Sequence, residues 1–186
     1  MFDENVPLCI TDIETGGLDL THPIIQIAAI AVNPKTGSIL EEFNEKIQFD
    51  QSKCSPEALE INHYKPEDWI TAKPERDVLR KLSEFYKGYA QSSRVSRKGG
   101  TYKVAIGGGY NSHFDTDRIF HKSRAHALFQ PVDPRFLDVM QLAMWKLKLA
   151  SYKLTSVADH LGIKYDNAHD ALVDVKLTFQ VMQALR

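Results

Sequence analysis

Cysteine is nearly absent from this chain. Cys9 and Cys54 are the only two among 186 residues, and neither has a second cysteine at zinc-ligand spacing, so a thiolate metal site is excluded and both read as buried or incidental thiols. Long apolar runs are also missing, since no segment approaches the roughly 20 residues needed to span a bilayer. The opening residues, Met1-Phe2-Asp3-Glu4-Asn5, are acidic where a secretory leader is basic, and no apolar core follows them. A cytoplasmic location is the expectation. Net charge is lacking too: 23 basic side chains face 24 acidic ones, leaving −1. A protein that grips a polyanion by its overall field is thereby excluded, and any such partner must be held by local basic patches or by bound cations.

What remains is an ordinary globular composition, 43% hydrophobic and 25% charged, with no repeat and no second composition regime. A single domain over residues 1–186 is expected. Leu8 to Ile13 reads as a short strand, and Ile24 to Val32 as a β-branched central strand. Ile39 to Phe49 reads as a third. Helical spacing begins after Pro74, with Val78, Leu82 and Phe85 on one face. Tyr102 to Ile106 is predicted as a strand, Gly107-Gly108-Gly109 as a turn and Asp117 to Leu128 as a helix. Phe136-Leu137-Asp138 is predicted as an edge strand leading into a helix through Leu149. Leu154 to Leu161 and a last helix from about Ala168 complete an α/β layer fold with a mixed sheet. Gln91 to Lys103 carries Arg94, Arg97, Lys98 and Lys103 and no acid. It reads as an exposed, mobile basic loop, either simply solvated or touching phosphates.

Three groups of residues carry chemistry. Asp12 and Glu14, two apart on a strand, point to one face at the strand's end, where adjacent carboxylates repel unless a cation lies between them. Asn111-Ser112-His113-Phe114-Asp115 follows the glycine turn, and Asp115 taken alone would be a helix cap. His169-Asp170-Ala171-Leu172-Val173-Asp174 opens the last helix. There the i, i+4 pair Asp170 and Asp174 shares a face more naturally than His169 and Asp174 do.

The order D-x-E-T-G-G-L, N-x-x-F-D, H-x-A-x-x-D resembles the three motifs of the DnaQ-like, or DEDDh, 3'-to-5' exonucleases, the family of RNase T and the DNA polymerase III epsilon subunit. The resemblance runs from about Leu8 to Leu185. It implies an RNase H-like fold, with a mixed five-stranded sheet that begins with three antiparallel strands. Residue by residue it makes Asp12, Glu14, Asp115 and Asp174 the carboxylates for two Mg²⁺ or Mn²⁺ ions and His169 the general base, so it selects Asp174 over Asp170. Tyr165, nine residues before Asp174, does not fit the tyrosine variant of the family. Where the family often has His-Asn before its second motif, this chain has Tyr110-Asn111.

The substrate implied is a DNA or RNA strand with a 3' end, single-stranded above all. Thr15, Gly16, Gly17 and Leu18 match positions that meet the terminal nucleotide, glycines allowing close backbone approach. Ile61, His63, Asn111 and Phe114 are further contact candidates, and Tyr64 and Trp69 are possible stacking platforms. Two other roles stay open: a catalytically idle nucleic-acid-binding module, and a proofreading subunit working beside a polymerase. A homodimer is a further possibility.

Overall fold

The computed structural model describes residues 5–166 and 170–186. In chain order come β1 (Leu8–Thr15), β2 (Ile24–Val32), β3 (Ile39–Lys46), α1 (Pro56–Ile61), α2 (Glu75–Gly88), β4 (Ser92–Val95), β5 (Thr101–Val104) and β6 (Ile106–Gly109). They are followed by α3 (His113–Ala125), β7 (Leu137–Asp138), α4 (Val139–Lys146), α5 (Leu154–His160) and α6 (Ala171–Ala184). Five strands form one sheet in the order β3-β2-β1-β6-β7. The first three pair antiparallel, while β6 runs parallel to both β1 and β7. This is the mixed sheet, three antiparallel strands first, that the sequence predicts.

Both faces of the sheet are covered, which explains why all nine residues of β2 are buried. On one face Leu8, Ile10, Ala28 and Ile30 pack against Val175, Phe179 and Met182 of α6. On the other, Cys9, Ile13, Ile27 and Ala29 meet Val78, Leu82 and Phe85 of α2 and Ile119 of α3. Each fully buried Leu, Ile or Phe in these layers contributes about 1.5–3 kcal/mol relative to exposure. The period-2 alternation of a strand therefore fixes where the acids go: Asp12 and Glu14 continue the row of Leu8 and Ile10 toward α6.

Three expectations are corrected. Gly107 to Gly109 is not a turn but lies in β6, where missing side chains let neighbours approach. A Cβ on Gly107 would lie 2.5 Å from the Phe136 ring, and one on Gly109 would lie 3.0 Å from the Thr11 carbonyl oxygen. Gly107→Ala should cost about 1–3 kcal/mol by overpacking, read as a lower urea midpoint with unchanged slope. Residues 91–103 are not an irregular loop either, because β4 and β5 pair antiparallel from Ser92↔Val104 to Val95↔Thr101. Ser96 and Gly100 close the turn through the Ser96 N–H to Gly100 carbonyl bond, with Gly99 at φ 84° supplying the left-handed residue such a hairpin needs. Finally, α3 begins at His113, four residues before its predicted start, and Asp115 lies in its first turn, not at its cap.

Among the described residues no helix is long and apolar enough to cross a membrane. Cys9 is buried, its thiol pushed up by desolvation, and Cys54 is partly buried; both are free.

Candidate active site

The carboxylates arrive from elements distant in sequence. Asp12 and Glu14 stand near the end of β1, whose pairing with β2 slips between Glu14 and Thr15. Asp174 comes from the first turn of α6. One ligand oxygen from each of Asp12, Glu14 and Asp174 lies within 4.8 Å of the others. Asp170, which the helical spacing alone favours equally, is occupied otherwise: it caps α6 by accepting from the N–H groups of Leu172 at 2.9 Å and Val173 at 3.3 Å. It also accepts from the Gln26 amide at 3.4 Å. His169 lies outside the described residues.

Asp115 belongs to the same neighbourhood without joining the 4.8 Å group. Its side chain is 4% exposed, and the Ile13 backbone N–H donates to it. Burial, and then the neighbouring Asp115 and Glu14, push the Asp12 carboxyl well above its ordinary range. Asp115 is raised mainly by burial, with Arg118 and backbone donors opposing. Glu14 is pushed up to about 8 by burial and by the charges of Asp174 and Asp170. Such a cluster costs free energy as bare anions and is stabilised by protons or cations. Its donors are oxygens, the preference of hard divalent ions, so the residues fit a magnesium- or manganese-type site.

Beside Glu14 opens a cleft of about 410 Å³. Of the predicted contact residues it brings together Thr15, Gly17, Leu18, Ile61 and Phe114. Leu18 is 84% exposed, so it is not ordinary core packing. Gly16 instead backs onto Cys54, whose sulfur a Cβ there would strike. His63 follows α1 at φ 48° and is not among the residues lining the cleft, and Asn111 lines a second cleft, of about 570 Å³, that reaches Asp174. Tyr64 and Trp69 pack with Phe49 as one ring cluster, and the Trp69 indole N–H donates to the Ile25 carbonyl, so both rings are spent on holding this segment to the sheet.

Sequence reasoning missed several residues. Asn62 donates its amide to the Thr15 carbonyl at 2.9 Å, tying the end of α1 to the end of β1. Arg118 lies over the Phe114 ring at 3.5 Å and donates to the Leu18 carbonyl, so it anchors the exposed turn on α3. Asp138 accepts from the backbone N–H of Asn111 and Ser112, each at 3.2 Å, while capping α4 through Met140 at 3.0 Å. It thereby fixes Asn111 at φ 52° and the start of α3 that carries Asp115. An Asp before an apolar helix is a local capping signal, but its reach to residue 111 is not. Asp138→Ala should cost about 1–2 kcal/mol, measured by denaturant unfolding.

The basic segment lies toward the other end of β1. β6 leaves the hairpin beside Leu8, at the opposite end of β1 from Asp12 and Glu14. Arg94 is paired with buried Asp133, whose carboxyl is lowered to about 2, burial being outweighed by donors from Arg135 and Arg94.

The mixed sheet covered by helices on both faces is an RNase H-like fold, and several known proteins are similar to the chain. The model of the RNase_T family, described as exonuclease, matches residues 9–94. A PolC-type DNA polymerase III of Thermotoga petrophila is 29% identical over 181 residues, covering 96% of this chain and 12% of the polymerase. E. coli exonuclease I, solved in complex with a dT13 oligonucleotide, superimposes with a TM-score of 0.74 at 18% identity, covering 96% of this chain and 40% of that one. A 3'-exonuclease solved for its recognition of the histone mRNA stem-loop gives a TM-score of 0.72 at 17% identity, with 98% and 82% covered. The chain thus spans about an eighth of the polymerase and two fifths of exonuclease I. Sequence and fold agree with the resemblance that the motifs carry.

Proposed function

We propose that the chain, as one domain over residues 1–186, is a metal-dependent 3'-to-5' exonuclease that hydrolyses phosphodiester bonds of DNA or RNA and releases nucleoside 5'-monophosphates. One observation carries the reading: Asp12, Glu14 and Asp174 converge within 4.8 Å, and Glu14 also lines the cleft formed by Leu18, Ile61 and Phe114. Held by these carboxylates and Asp115, two Mg²⁺ or Mn²⁺ ions would supply charge neutralisation at the phosphoryl oxygens and activation of water.

The chain's own residues do the rest. Leu18 and Ile61 present apolar surface to the terminal base, and the Thr15-Gly16-Gly17 backbone lets the sugar-phosphate approach closely. Asn62 and Arg118, through the Thr15 and Leu18 carbonyls, hold that turn in one conformation, which pre-organises the end of the strand against the carboxylates. His169, assigned by its motif, takes a proton from the attacking water as the general base. His169→Ala should lower kcat about 10²–10⁴-fold while nucleotide affinity holds, which single-turnover and binding measurements separate.

The presence of all five motif residues favours an enzyme over an idle binding module. The likeness to a segment of PolC-type polymerases favours a polymerase-associated setting as the second reading. Matched single-stranded DNA, single-stranded RNA and duplex substrates, labelled at either end, test the activity. A 3' label should leave at once as mononucleotide and a 5' label only in the last product. Internal fragments from the first turnover would mean an endonuclease.

A further inference from the structure

The second cleft opens onto a surface that the reading above leaves unused. Tyr110, Asn111, Ser151, Lys153 and Asp174 line it, and Met140 brings α4 into its wall. One turn further along α4, Met144 is 53% exposed, and beside it Trp145 is 87% exposed. An indole and a methionine left in water on a short helix ask for an apolar or π-faced partner. The charge around them narrows the choice. From Val139 to Ala158 there is no acid, while Lys146, Lys148 and Lys153 fall within the stretch. Lys146 donates to the Arg186 carbonyl. Lys148 and Lys153 form no ion pair among the described residues. In a chain of net charge −1 this is a locally cationic stretch of sequence, and Lys153 carries it into the cleft that Asp174 also lines.

We propose that the cleft and the exposed face of α4 form the track for the single strand upstream of the cleaved phosphate, with Trp145 stacking a base and Lys148 and Lys153 holding phosphates. An aromatic platform flanked by cations is the chemistry that grips single strands without reading sequence. A paired duplex buries the base faces that the indole needs, so the track selects unpaired strand. Met140 and Trp145 are separated by about 7.5 Å along the helix axis and about 140° around it, so a strand leaving the cleft crosses α4 and meets the indole among its first few upstream nucleotides. The inference rests on the exonuclease reading for the direction in which the strand lies.

The test compares binding of octathymidylate and of dTMP, with Ca²⁺ replacing Mg²⁺ and the strand verified intact. Trp145→Ala should weaken the octamer about tenfold and leave dTMP unchanged, and Trp145→Phe should restore most of the loss. Lys148→Ala with Lys153→Ala should flatten the octamer's log–log salt slope by about 1.4. Unchanged octamer affinity in Trp145→Ala, as expected if this face docks a protein, overturns the proposal, and so does an equal loss for octamer and dTMP. If Mg²⁺ releases no nucleotide from the wild type while the octamer-specific loss persists, the exonuclease reading falls and the strand track stands.

Discussion

Asp12→Asn should abolish most nucleotide release and, at pH 8 without divalent cations, melt at a higher temperature than the wild type. The two effects have one cause. Asp12 is half-buried among Asp115, Glu14, Asp174 and Asp170, and each of these neighbours raises its proton affinity. An amide in its place removes one charge from a repelling cluster while keeping the shape, so the metal-free fold gains stability. The same change removes a ligand oxygen and part of the negative charge that attracts a cation. Loss of a single preorganised electrostatic group at a reacting centre lowers kcat by about 10²–10³, and rate measurements in saturating Mg²⁺ with parallel melts would register both. A variant that lost activity and stability together would instead indicate a structural role for Asp12.

The second large effect concerns pH. Glu14 has an ordinary carboxyl pKa near 4.5 and is pushed up to about 8 in the folded chain. Between these values the folded state holds a proton that the unfolded state has released. Stability therefore falls as pH rises through that window and levels off above it. With Asp12 and Asp115 shifted in the same direction, the metal-free melting temperature should drop on the order of 10 °C between pH 5 and pH 8. Saturating Mg²⁺ should remove most of this slope, because a cation that binds only the folded, deprotonated cluster stabilises it by about 2.7 kcal/mol at a hundredfold excess over Kd. Glu14→Gln should flatten the metal-free slope. A wild-type profile that rises with pH in EDTA would show that the carboxylates are neutralised by the protein itself.

Much of this arrangement was legible in the sequence. The period of two in β1 put Asp12 and Glu14 on one face, and β2, apolar except for Gln26, read as a central strand. The helical period gave α2, α5 and α6 within a few residues. Local pattern fails where distant residues set the structure. Gly107 to Gly109 reads as a turn until the Phe136 ring that lies on Gly107 is known. The start of α3 is fixed by Asp138, 26 residues away from Ser112. Asp170 and Asp174 are equivalent by spacing alone. The capping bonds of Asp170 and the convergence of Asp174 with Asp12 and Glu14 separate them, as the motif resemblance also does. The hairpin in the basic segment was hidden by its serines and lysines, although Val95, Tyr102 and Val104 are strand formers and Gly99 marks its turn.

Titrating Mn²⁺ into the chelator-stripped protein, with a nucleoside monophosphate present and free Mn²⁺ followed by electron paramagnetic resonance, addresses the carboxylate cluster most directly. Saturation at two ions per chain is expected, with Asp12→Asn and Asp174→Asn each losing at least one. Full binding in both variants, or no binding by the wild type, would contradict a cation site built from β1 and α6.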